Sequence, residues 1–80
     1  MEREAIFEKL NGVFREVFDR PDLVVTETTM AAEVEGWDSL MHITLIAELE
    51  DMFGMKFRMK EVKGMQTVGE MADVIQRETA

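Results

Sequence analysis

Apolar side chains recur along residues 3–18 at Ile6, Leu10, Val13, Phe14 and Val17, steps of four, three, one and three that share one helical face. The spacing predicts a first helix. Asp19, Arg20 and Pro21 should end it, because proline disfavours helical geometry in the residue before it and carries no N–H for the ladder. From Pro21 to Trp37 neither a 3.6 nor a 2 period is sustained, which predicts a long packed loop with room for a short helical turn near Ala31–Val34. Leu45, Leu49 and Phe53 then repeat every four residues, with Ile43 and Ile46 widening the stripe and Glu48, Glu50 and Asp51 placed elsewhere. This second helix starts at Asp38 or Ser39, either of which can cap it, and Gly54 is the expected stop. The basic stretch KFRMKEVKG has length for one short turn before Gly64. Thr67 and Glu70 form a T-x-x-E capping signature that opens a last helix with Val68, Met71, Ala72 and Ile75 on its apolar face. The expected fold is all-α: a small four-helix bundle of three longer helices plus one short third helix.

Composition adds bounds. Eighty residues make one domain, spanning 1–80, that buries roughly 60% of the unfolded chain's surface and has little room for a deep cleft. With no cysteine there is neither a disulfide framework nor a thiolate ligand to join His42, the single histidine, in a zinc site. No apolar run approaches the ~20 residues that cross a bilayer, and the charged, amphipathic N-terminus is unlike a signal peptide. A soluble, cytoplasmic, monomeric chain is expected. The eight methionines on acidic helices raise the question of a calcium sensor, but no D-x-D-x-D-G loop with a closing glutamate occurs.

Charge is distributed unevenly. Between Pro21 and Met55 there is no Lys or Arg, while Asp22, Glu27, Glu33, Glu35, Asp38, Glu48, Glu50 and Asp51 supply eight acids. The remaining nine of the 17 acids balance the nine bases, so the net charge of -8 belongs to that one segment. Such a surface repels nucleic acid and anionic membrane and steers basic protein surfaces toward it.

Inside this segment lies GWDSL, residues 36–40, at the mouth of the second helix. The plain role for Ser39 is a helix cap. As a hydrolytic nucleophile it lacks support: His42 is one turn away, yet the sequence contains no G-x-S-x-G elbow and no oxyanion hole. A phosphate ester on Ser39 would instead sit beside the free N–H groups and positive end of the helix, where an anion is favoured.

The residues Asp38-Ser39-Leu40, followed without a gap by LIAELEDMFG, KEVKG and TVGEMADVI, resemble an acyl carrier protein. The resemblance implies a non-enzymatic carrier on which a phosphopantetheinyl transferase places 4′-phosphopantetheine from coenzyme A at the Ser39 hydroxyl. Acyl intermediates of fatty-acid or specialised, polyketide-like biosynthesis then ride as thioesters on the arm, whose own thiol makes a cysteine in the chain unnecessary. Asp38 and Leu40 would flank the attachment site. Met41, Thr44, Glu48, Glu50 and Asp51 would face acyl-loading and acyl-processing enzymes with basic docking patches. Ile46, Val62 and Met65 would line an acyl pocket, against the plainer reading that they are ordinary core. Trp37 either anchors the loop against the bundle or touches partners and the arm.

Three departures from the family pattern bear on partners. Met41 and Thr44 stand two and five residues after the serine, where carriers of ordinary fatty-acid synthesis are usually acidic. The short third helix, commonly acidic, carries Lys60 and Lys63 with Arg58 nearby, and the loop reads VEGWDSL. A carrier dedicated to a specialised pathway is expected, with a peptidyl carrier loaded with amino acids, or an unmodified acidic interaction module, as the alternatives.

Overall fold

The computed structural model describes residues 1–79. Its elements are α1 (Arg3–Val17), a 3-10 turn (Ala31–Glu33), α2 (Ser39–Phe53), α3 (Met59–Gly64) and α4 (Val68–Glu78). No strand occurs among the described residues, only an isolated antiparallel bridge between Met30 and Thr67. This is the expected all-α bundle.

α1 packs against both α2 and α4. Ile6, Leu10 and Phe14 from α1, Leu45 and Leu49 from α2, and Val68, Met71 and Ile75 from α4 are fully enclosed, with Val25 of the long loop plugged between them. The repeat in α2 places Leu45, Ile46 and Leu49 inside as expected, but leaves Phe53 only half-buried. Ile43 does not widen the buried stripe: it is 64% exposed. Two residues before Leu45, it turns about 160° around the helix from it, beyond the reach of the core.

The chain ends its helices by local geometry. At the end of α1, Asp19 adopts a left-handed conformation (φ 52°), and the Arg20 N–H reaches back to the Arg15 carbonyl (2.9 Å). That closes the helix before Pro21 acts, in the Schellman arrangement that glycine usually serves. Gly54 is left-handed (φ 62°) at the end of α2, as expected. Gly64, in contrast, is the last residue of α3 and no stop, since Met65 turns extended after it.

The Thr67 box is half made. Thr67 Oγ1 accepts from the Glu70 N–H (3.2 Å), but the Glu70 carboxylate takes the Gln66 N–H (3.1 Å), one residue before the cap. α3 gains a cap that its sequence hides: Glu61 Oε1 accepts from the Arg58 N–H (3.1 Å).

The long loop is stitched to the bundle rather than draped over it. Asn11 of α1 accepts the Val25 N–H (2.7 Å) and donates to the Phe7 carbonyl (2.9 Å). Farther on, Val68 and Gly69 at the start of α4 donate their N–H groups to the carbonyls of Thr29 (2.9 Å) and Glu27 (3.0 Å). A Cβ on Gly69 would lie 2.5 Å from the Glu27 carbonyl oxygen, so only glycine permits this approach. Arg3 closes the same corner: its guanidinium pairs with Glu27 (2.7 Å) and Asp73 (2.8 Å) and donates to the Gly69 carbonyl (3.0 Å). The hydrogen bond to Glu27 raises the Arg3 pKa above the usual guanidinium range, and Arg3 in turn holds the Glu27 carboxyl below its usual value.

Candidate functional site

The loop enters α2 through Gly36, which turns in the left-handed region (φ 87°). Asp38 is the cap: its Oδ1 accepts from the Met41 N–H at 2.9 Å. The choice that the sequence leaves open between Asp38 and Ser39 is thereby decided. Ser39 is the first residue within the helix, exposed, and its hydroxyl has no hydrogen-bond partner among the described residues. The N–H groups of Ser39 and Leu40, at the open end of the helix, likewise have no backbone acceptor among the described residues.

Trp37 is an anchor. Half-buried, it meets Phe14 edge-on (5.3 Å between ring centroids) and stacks on His42 (5.8 Å). Its indole N–H donates to His42 Nδ1 (3.0 Å), and His42 Nε2 lies 3.1 Å from the Val62 carbonyl oxygen. An acceptor toward Trp37 and a donor toward Val62 require the neutral ring protonated at Nε2. Both nitrogens are thus committed, so His42 is no base for Ser39 and instead ties α2 to α3. No sequence pattern announces this link, because Trp37 and His42 belong to different local elements and Val62 contributes only its backbone.

Beside Ser39 opens a cavity of about 380 Å³ lined by Trp37, Asp38, His42, Val62, Met65 and Met71, with Lys63 at its edge. A second, more apolar groove of about 310 Å³ runs between α2 and α3, lined by Ile43, Ile46, Ala47, Phe57, Met59 and Val62, with Glu50 as its one charged lining residue. The three expected pocket residues therefore do not share one chamber. Val62 lines both, Met65 only the first, and the buried Ile46 only the second.

The residues expected to meet partners also separate. Leu40 is 71% exposed, Met41 is half-buried, and Thr44 is exposed with its hydroxyl bonded back to the Leu40 carbonyl (3.2 Å). Glu48 and Asp51 are exposed. Glu50 is not: its side chain is 20% exposed, and one oxygen accepts the Phe57 N–H at 2.8 Å while the other stands 3.8 Å from Lys56. It fixes the turn after α2, a task invisible in a sequence that shows only another acid in a row. Glu61, on α3, pairs with Arg77 of α4, and that contact together with the Arg58 N–H holds its carboxyl below the usual range. Among the described residues no cluster of His, Asp or Glu is arranged to hold a metal ion, and no helix is long and apolar enough to cross a membrane.

A hydroxyl left free at a capped helix start, in a bundle of this topology, belongs to a class of protein that comparison makes explicit. Residues 8–75 match the family described as a phosphopantetheine attachment site. The chain is 34% identical to the acyl carrier protein of Saccharopolyspora erythraea, covering 92% of this chain and 78% of that protein. It is equally 34% identical to the acyl carrier protein of Rubrobacter xylanophilus, over the full length of both. The solution NMR structure of holo acyl carrier protein from Geobacter metallireducens superposes with a TM-score of 0.86 at 36% identity, covering 91% of this chain and 84% of that one. The chain belongs to the acyl carrier protein family, and its cofactor is covalently attached 4′-phosphopantetheine.

Proposed function

We propose that Ser39 carries the 4′-phosphopantetheine arm and that the chain ferries acyl groups, as thioesters on that arm, between separate enzymes rather than catalysing a reaction itself. One observation supports this above the rest: Asp38 does the capping, so the Ser39 hydroxyl is surplus to the fold. The surroundings fit the group. The free N–H groups of Ser39 and Leu40 favour the phosphate charge, and the adjacent cavity leaves room for an arm to fold back. When bound, the cofactor supplies the thiol that the chain lacks. Incubation with coenzyme A and a broad-specificity phosphopantetheinyl transferase should add the mass of one phosphopantetheine to the wild type and none to Ser39→Ala, read by intact mass spectrometry. An unchanged wild type would leave an unmodified interaction module, and a modified Ser39→Ala would move the site elsewhere.

The pathway served is a specialised one, supported by the half-buried Met41 and the exposed Thr44 on the upper part of α2, where housekeeping carriers present acids. Without those charges, steering toward basic synthase patches weakens. A general malonyl transacylase should load the holo wild type slowly. Met41→Asp with Thr44→Glu should speed loading, more at low salt than at ~0.1 M, where screening acts within about 10 Å. Wild-type loading as fast as a housekeeping carrier, or no gain in the double variant, would refute the specialised assignment.

A further inference from the structure

Ser39 stands in a stretch that has no positive side chain of its own. Between Pro21 and Met55 there is no Lys or Arg, and Asp38, one residue before the serine, keeps its carboxylate at the helix mouth. A phosphodiester on Ser39 adds a further negative charge to this ground. The start of α2 answers it only with the partial charge of its free N–H groups. Any full positive charge has to come from outside the segment.

Folding brings one there. Among the residues lining the cavity beside Ser39, Lys63 in the last turn of α3 is the one Lys or Arg, and Asp38 is the one carboxylate. Lys63 is exposed and takes part in no ion pair among the described residues, so its ammonium has no task in the fold. The neighbouring bases lie elsewhere: Arg58 and Lys60 line the hollow between α3 and α4, and Lys56 stands 3.8 Å from Glu50. His42, on the wall of the same cavity, is engaged at both ring nitrogens by Trp37 and the Val62 carbonyl. That engagement also sets the distance to be spanned. His42 is one helical turn from Ser39 on α2, its Nε2 lies 3.1 Å from the Val62 carbonyl oxygen, and Lys63 is the next residue along the chain.

We propose that Lys63 pairs with the phosphodiester on Ser39 once the arm is attached, so that the end of α3 is clamped to the start of α2 in the modified chain alone. The inference rests on the carrier reading and adds to it the residue that answers the arm's charge. A lysine ammonium on its flexible stem suits this task, because it meets a phosphate as a point charge and demands no fixed approach. The cavity helps. Trp37, Val62, Met65 and Met71 back it with apolar surface, where a pair is screened less than in open water. The element that responds is α3, whose six residues are tied to the bundle through the His42 contact and the Glu61–Arg77 pair. Lys63 adds a third tie, present only with the arm.

The test compares apo and holo forms of the wild type, Lys63→Gln, Lys63→Arg and Lys60→Gln by amide hydrogen exchange across α3 and by phosphorus NMR of the holo forms. Exchange in α3 should be about threefold slower in the holo than in the apo wild type, as a modest ion pair gives. The difference should vanish in Lys63→Gln and in ~1 M salt, where the screening length is about 3 Å, and persist in Lys63→Arg and Lys60→Gln. The phosphorus resonance should move in Lys63→Gln and stay in place in Lys60→Gln. The apo forms of wild type and Lys63→Gln should exchange alike, whereas a merely structural lysine would separate them. Equal α3 exchange in apo and holo wild type, an unmoved phosphorus resonance in Lys63→Gln, or an equal effect of Lys60→Gln would overturn the clamp. So would slowing that appears only after loading with a malonyl group, which would give Lys63 to a cargo carboxylate. The salt series on the wild type alone decides the matter if a variant misfolds. Intact mass after transferase treatment of the same samples tells a failure of the clamp, with the arm in place, from a failure of the carrier reading.

Discussion

Asp38 and Ser39 are neighbours with separate duties, and stability measurements should divide them. Asp38→Ala removes the acceptor for the Met41 N–H and should cost about 1 kcal/mol, within the range of helix caps. Ser39→Ala removes a hydroxyl with no partner among the described residues and should leave the denaturation midpoint nearly unchanged. Urea unfolding of the two variants checks this, and a larger loss for Ser39→Ala would reverse the assignment of the cap. The D-S-L motif and its helix start were legible in the sequence because both are contiguous, and five residues suffice to state them. His42 was legible only as a residue near a serine. What it does depends on an indole and a carbonyl brought to its two nitrogens by folding, and spacing along the chain carries no record of that. Glu50 escaped for the same reason: its acceptor role toward Phe57 exists only once the chain has turned at Gly54.

At the level of elements, α3 has six residues, contributes no fully buried side chain, and is too short to persist alone. Beyond the half-buried Val62, which packs against the core, its hold on the bundle is polar: the His42 link to the Val62 carbonyl on one side and the Glu61–Arg77 pair on the other. The second of these makes its anchoring depend on pH. Because the folded Glu61 pKa is lowered, the pair stabilises fully above the ordinary glutamate value of 4.5 and loses that contribution as pH falls through the lower folded value. Glu61→Gln should therefore lower the melting temperature at neutral pH, and the gap to wild type should close in acid. A gap independent of pH would mean that the loss does not come from the charge of the Glu61 carboxylate. The three long helices were legible because a dozen or more residues repeat one period. The expected span of the short helix was a matter of length alone, and the stitched loop was unreadable, since Asn11, Gly69 and Arg3 act on partners 14 or more residues away.

For the whole molecule, the sequence predicts eight uncompensated acids between Pro21 and Met55, and folding pairs two of them, Glu27 with Arg3 and Glu50 with Lys56. Six of the eight remain without an ion pair among the described residues, enough that self-repulsion opposes the compact state. Raising ionic strength from a few millimolar to ~0.1 M should raise the melting temperature, because the screening length contracts to about 10 Å. A flat response would show that repulsion among the unpaired acids is negligible. The separation of Asp38 from Ser39 has an effect at this same scale. Because the cap makes no use of the Ser39 hydroxyl, a chain whose serine bears nothing is already finished as a scaffold. On the reading proposed above, the transferase would meet a completed bundle, and the order of events in the cell would be shape first and equipment second.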